Sequence, residues 1–95
     1  MGDVGLVYQI APAEMTPEGV EKARADLRSI KEVESIQDES VFGATFFKIL
    51  VVIPDKKSGA LEEALNKLRA LDSIQKDADD VSTWEPTLLD QTLIN

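Results

Sequence analysis

The chain has 95 residues, 43% of them hydrophobic, enough for one compact core and too few for two, since so short a chain buries only about 60 to 65% of its extended surface. It has neither cysteine nor histidine, which excludes disulfides and thiolate nucleophiles and removes the commonest general base near neutral pH, so that enzymatic, metal-assisted and cofactor chemistry are all disfavoured. A formal charge of −8 disfavours nucleic acids and anionic membranes as partners, because both are held by clustered Lys and Arg.

In chain order, Val4, Leu6, Tyr8 and Ile10 alternate with Gly5, Val7 and Gln9, the period of a strand with one buried face; Ala11-Pro12 ends it. Thr16-Pro17 is a helix start, a capping hydroxyl followed by a proline whose missing N–H costs nothing there. Val20, Ala23, Leu27 and Ile30 supply that helix with an inward stripe. A short, charged strand is expected near Val33 to Asp38, suited to a sheet edge. A strongly apolar strand is expected from about Ala44 to Ile53. The run from Pro54 to Gly59 reads as a turn, with Ser58 a candidate N-cap for a helix whose inward stripe is Leu61, Leu65, Leu68 and Leu71. A last strand is expected near Ser73 to Val81, although its charges oppose it.

The order is βαββαβ, with a faint internal echo: Glu34-Ser35-Ile36-Gln37 after the first helix, Asp72-Ser73-Ile74-Gln75 after the second. Two βαβ halves imply an α+β, ferredoxin-like sandwich, a four-stranded antiparallel sheet with two helices on one face. If Phe47, Ile49, Val51 and Ile53 lie under the helices, Phe46, Lys48, Leu50 and Val52 face the open side. Such a patch calls for cover by a partner, a second copy or the tail that carries Trp84, Leu88, Leu89, Leu93 and Ile94.

The acid is concentrated late. Residues 1 to 71 hold 12 acidic and 9 basic side chains, residues 72 to 95 hold 6 and 1, so a partner of the last quarter is expected to be basic. The adjacent pairs Glu62-Glu63 and Asp79-Asp80 diverge on any regular element and read as solvated surface. Lys56-Lys57-Ser58-Gly59 reads more readily as a hydrophilic turn than as an anion site, and no phosphate-binding glycine motif is present. No apolar run is long enough to span a bilayer, no signal peptide is apparent, and Leu6 stands where a myristoylation motif has Ser or Thr, so a cytoplasmic location is expected. Phe42-Gly43 admits two readings from the residues alone: a ring that caps the core at the sheet's end, or one left at the edge where the glycine lets the backbone turn or approach another chain.

Met1-Gly2-Asp3-Val4, Pro17-Glu18, Phe42-Gly43, Phe47-Lys48-Ile49, Val51-Val52-Ile53-Pro54-Asp55 and Leu61-Glu62-Glu63-Ala64-Leu65 together resemble the archaeal form of translation elongation factor 1-beta over roughly residues 1 to 81. The resemblance implies the ferredoxin-like fold and a role as guanine-nucleotide exchange factor for the GTPase elongation factor 1-alpha, with no bond made or broken. It implies further that Phe42 acts as a wedge near the GTPase's switch regions and magnesium site, that Gly43 shapes its approach, and that a lysine near the domain's C-terminus helps displace the magnesium. Where that family often ends in basic residues, this chain has Val81-Ser82-Thr83-Trp84, and Lys76 is its only lysine in that quarter. Residues 82 to 95 match nothing in the family and are expected to be an extension beyond a domain spanning 1 to 81. The alternative, from another class, is an interaction or oligomerisation module working through the open face or the tail.

Overall fold

The alternation at Val4, Leu6, Tyr8 and Ile10 and at Phe47, Ile49, Val51 and Ile53 fixes one apolar face on each of two strands, and all eight side chains are buried together. In the computed structural model, which describes residues 2 to 94, these strands are β1 (Asp3–Ile10) and β3 (Ala44–Pro54), paired antiparallel with Val4 opposite Ile53 and Ile10 opposite Phe47. β2 (Val33–Val41) pairs antiparallel with the other side of β3, from Val33 opposite Val51 to Val41 opposite Ala44. With β4 (Thr87–Ile94) beside β1, the sheet order is β2-β3-β1-β4 and every pairing is antiparallel.

Two helices complete the sandwich. The Thr16 hydroxyl accepts from the Gly19 N–H at 3.0 Å and Pro17 opens α1 (Pro17–Arg28), which buries Ala23 and Leu27. α2 (Ala60–Arg69) buries Ala60, Ala64, Leu65 and Leu68 against the same core. It starts from Gly59, held at φ 80°, with no side-chain cap, so Ser58 does not cap it. Its stripe is also rotated from the expected one. Leu61 is exposed and Ala60 takes the inward position, because alanine lets the first turn of the helix approach the sheet closely. The helices share one face of the sheet and the architecture is ferredoxin-like.

The last strand corrects the sequence reading. Residues 73 to 81 are not in the sheet; instead Ile74 makes a single bridge to Pro12, with the Ala13 N–H donating to the Ser73 carbonyl and the Gln75 N–H to the Ala11 carbonyl, each at 2.8 Å. The place beside β1 goes to Thr87–Ile94, which carries one charge, Asp90, whereas 73 to 81 carries four. Residues 87 to 94 are thus an integral strand rather than an extension, and the fold runs through them. Trp84, on the way there, is buried in the core, while its carbonyl accepts from the Arg69 guanidinium at 2.8 Å. A short 3-10 turn, Val81–Thr83, capped by Asp80 through the Ser82 N–H, reverses the chain before Trp84.

On the open face the tail contributes Thr87, Asp90, Thr92 and Ile94, and the Ile94 side chain occupies the space above Gly5, where a Cβ would come within 2.6 Å of its Cδ1 and 3.2 Å of Leu50 Cδ1. The absent side chain of Gly5 is what lets the isoleucine lie down on the sheet. Leu88 and Leu93, opposite Tyr8 and Val4, lie on the other face, and all three tail leucines stay exposed, so the tail does not blanket the open face as the sequence allowed.

Candidate functional site: the hairpin tip and its flanking cleft

β2 and β3 form a hairpin closed by two residues, Phe42 and Gly43, between the paired Val41 and Ala44. Both residues have positive φ, 48° for Phe42 and 82° for Gly43, the signature of the tight turn whose twist matches that of paired strands. Gly43 reaches this region freely, and a Cβ on it would meet nothing within 4 Å. Phe42 does not. Asn, Asp or Gly is the usual first residue of such a turn, and an aromatic residue held there carries about 1 kcal/mol or more of backbone strain.

The ring gains nothing locally for that strain. Phe42 is 105% exposed, so it touches neither the core nor the open face. This decides between the two readings of Phe42-Gly43: the ring is not a core cap. Pairing of β3 with β1 stops at Phe47, and Ala44, Thr45 and Phe46 are held by β2 alone, so the tip stands about 10 Å beyond the end of β1 at roughly 3.3 Å per residue.

At the base of this projection the hairpin is clamped. The Arg24 guanidinium of α1 pairs with Asp38 of β2 and with Glu21, and sits 5.6 Å from the centre of the Phe47 ring, a cation–π contact from a nearly buried side chain. These two carboxylates raise the Arg24 pKa above its already high ordinary value, chiefly through the hydrogen bond to Asp38. The tip is therefore an exposed ring on a stiff stem.

Beside the stem, on the open face, lies a cleft of about 270 Å³ lined by Gln9, Phe46, Gln75, Asp77, Glu85 and Thr87. Asp77 accepts from the Gln75 amide at 2.9 Å, and burial together with the Glu85 carboxylate pushes the Tyr8 phenol up. With two carboxylates and no basic residue on its walls, the cleft suits a cationic group on a partner. Nothing in the sequence pointed to it, because its walls come from four segments brought together only by the fold.

Lys76 belongs to the loop between α2 and β4, on the side of the molecule where the chain leaves β1. Its ammonium turns back on its own loop, donating to the carbonyls of Leu71 and Ile74. Phe42 and Gly43 together form the hairpin turn, and Lys76 does not join them. Among the described residues no three carboxylates come together to hold a metal ion, and no helix is long and apolar enough to cross a membrane.

No protein-family model matches this chain, and no curated protein matches it.

Proposed function

We propose that the protein is a cytoplasmic guanine-nucleotide exchange factor that promotes release of GDP from elongation factor 1-alpha, with Phe42 as the group that enters the GTPase. The observation that carries this reading is the state of Phe42: a large apolar ring, fully exposed, on a residue with positive φ, at the tip of a clamped hairpin. An aromatic residue kept under backbone strain in water is explained by a partner that buries it.

The mechanism is one of linkage. A GTPase holds its nucleotide through backbone amides around the phosphates and through Mg²⁺; a partner that binds the nucleotide-free, distorted form more tightly weakens nucleotide binding by the same factor. The stiff stem matters because a ring on a floppy loop would lose, in ordering itself, part of the energy needed for the distortion. The acidic cleft beside the stem supplies a second contact, for a basic side chain of the GTPase. Lys76 is already satisfied by two carbonyls, so the ring carries the wedging and the lysine contributes little.

Release of labelled GDP from purified elongation factor 1-alpha is the test. Micromolar protein is expected to accelerate release, Phe42→Asn to abolish the acceleration while keeping the turn, and Lys76→Met to leave most of it. Unchanged release with the unaltered protein would sink the reading.

A further inference from the structure

The two edges of the sheet are built differently. Each edge strand carries one extra residue, Glu34 in β2 and Leu89 in β4, but β2 also carries the charges Glu34, Asp38 and Glu39, which keep a foreign strand away. β4 reads Thr-Leu-Leu-Asp-Gln-Thr-Leu-Ile, with one charge in eight residues and no lysine or proline. Its leucines are uncovered: Leu93 is 71% exposed, Leu88 49% and Leu89 45%. A long, nearly neutral, leucine-bearing edge is a template for strand addition.

We propose that β4 pairs antiparallel with β4 of a second copy of this chain about a two-fold axis, making one continuous eight-stranded sheet. Charge selects the occupant. The chain is strongly acidic, so two copies repel except where the approaching surfaces carry little charge, and β4 is that surface while β2 is not. The backbone selects the register. The Gln91 N–H donates to the Asp90 carboxylate at 2.8 Å, which places Gln91 among the residues whose backbone groups face away from β1; Leu93, two positions on, shares that direction. A two-fold centred on Gln91 sets Leu89 opposite Leu93 of the other copy and Asp90 opposite Thr92, twice over, so the leucines meet and the two Asp90 carboxylates do not face each other. Because the contact is isologous it closes at two copies. It also uses the edge opposite the hairpin edge in the order β2-β3-β1-β4, which leaves Phe42 free, so the pairing stands or falls independently of the exchange activity.

Sedimentation velocity on the full chain over about 1 to 500 µM tests it, a range that reaches both sides of a micromolar dissociation constant. The mass is expected to rise with concentration toward twice that of the chain and no further, and Leu93→Lys, with an unchanged circular dichroism spectrum, to weaken association at least about tenfold. A dilution series of amide NMR spectra of the unaltered protein provides a check that needs no variant: the concentration-dependent shifts are expected to concentrate in residues 88 to 94. Any of three results overturns the pairing: a single-chain mass throughout, which leaves the edge to a strand of a different protein; a dimer indifferent to Leu93→Lys with shifts elsewhere; or masses that keep growing beyond two.

Discussion

Phe42 and Phe47 lie five positions apart in one hairpin and meet opposite fates. Phe47 is fully buried at the junction of β1, β3 and α1, whereas Phe42 is fully in water. Local composition does not separate them, since both sit in the same apolar run. The difference comes from the partners of β3: where β1 and the helices cover it, an aromatic ring is core, and where β3 outruns β1, the same kind of side chain has no protein to pack on. Stability resides at the base of the hairpin and the proposed recognition at its tip, and the two can be perturbed separately.

The largest effect is expected at the base. Phe47→Ala removes a fully buried ring and should lower the unfolding free energy by about 3–5 kcal/mol, read from urea denaturation. Since a domain of this size has only about 5–10 kcal/mol in hand, part of the population should unfold near 37 °C. A loss under about 1 kcal/mol would erase the contrast between base and tip.

At the turn the signs diverge. Gly43→Ala places a Cβ at φ 82° and should destabilise by about 1 kcal/mol, although nothing crowds the site. Phe42→Asn should do the reverse, raising the melting temperature by a few degrees as strain of about 0.5–1 kcal/mol is relieved. A variant that becomes more stable while losing exchange would separate the two roles most clearly. A melting temperature that falls would mean that the ring has a structural partner after all.

The smallest effect belongs to the far end of the hairpin, where Lys67 of α2 donates to both oxygens of Glu32 at 2.8 and 2.9 Å. That hydrogen-bonded ammonium holds the Glu32 carboxyl below its ordinary value. A carboxyl whose pKa is lowered by folding stabilises the fold above its unfolded pKa, and the contribution disappears as pH falls through the lowered folded value. Lys67→Met should therefore lower stability by about 0.5–1 kcal/mol at pH 7 and by less in acid, measured by chemical denaturation across that range.

Much of this fold was legible as periodicity. β1, α1, β3 and α2 each carry a clean repeat of two or of about 3.6, and the structure builds each within a residue or two of its expected limits. β4 was not, for two physical reasons. A register shift between Val7 and Tyr8 leaves Leu89 as an extra residue in β4, which breaks the alternation that would have announced the strand. The echo of Glu34-Ser35-Ile36-Gln37 at Asp72-Ser73-Ile74-Gln75 then drew the last strand too early, although Asp77, Asp79 and Asp80 keep the following residues out of the sheet. The exposure of Phe42 was hidden for a similar reason: Phe-Gly is not the usual dipeptide of a two-residue hairpin turn, so the sequence offered a bend without saying where the ring would point.

The adjacency of β1 and β4 has a kinetic meaning. Asp3 pairs with Ile94 and Gln9 with Thr87, so one side of β1 finds its partner only across nearly the whole chain. In chain order β3 precedes β4, so one edge of β1 can be paired before the strand for its other edge is made. Loops of this length close slowly, and a topology dominated by such pairings folds in milliseconds to seconds rather than microseconds. Until β4 is available, β1 presents a bare edge, and an unpaired strand of this kind is prone to misassociation.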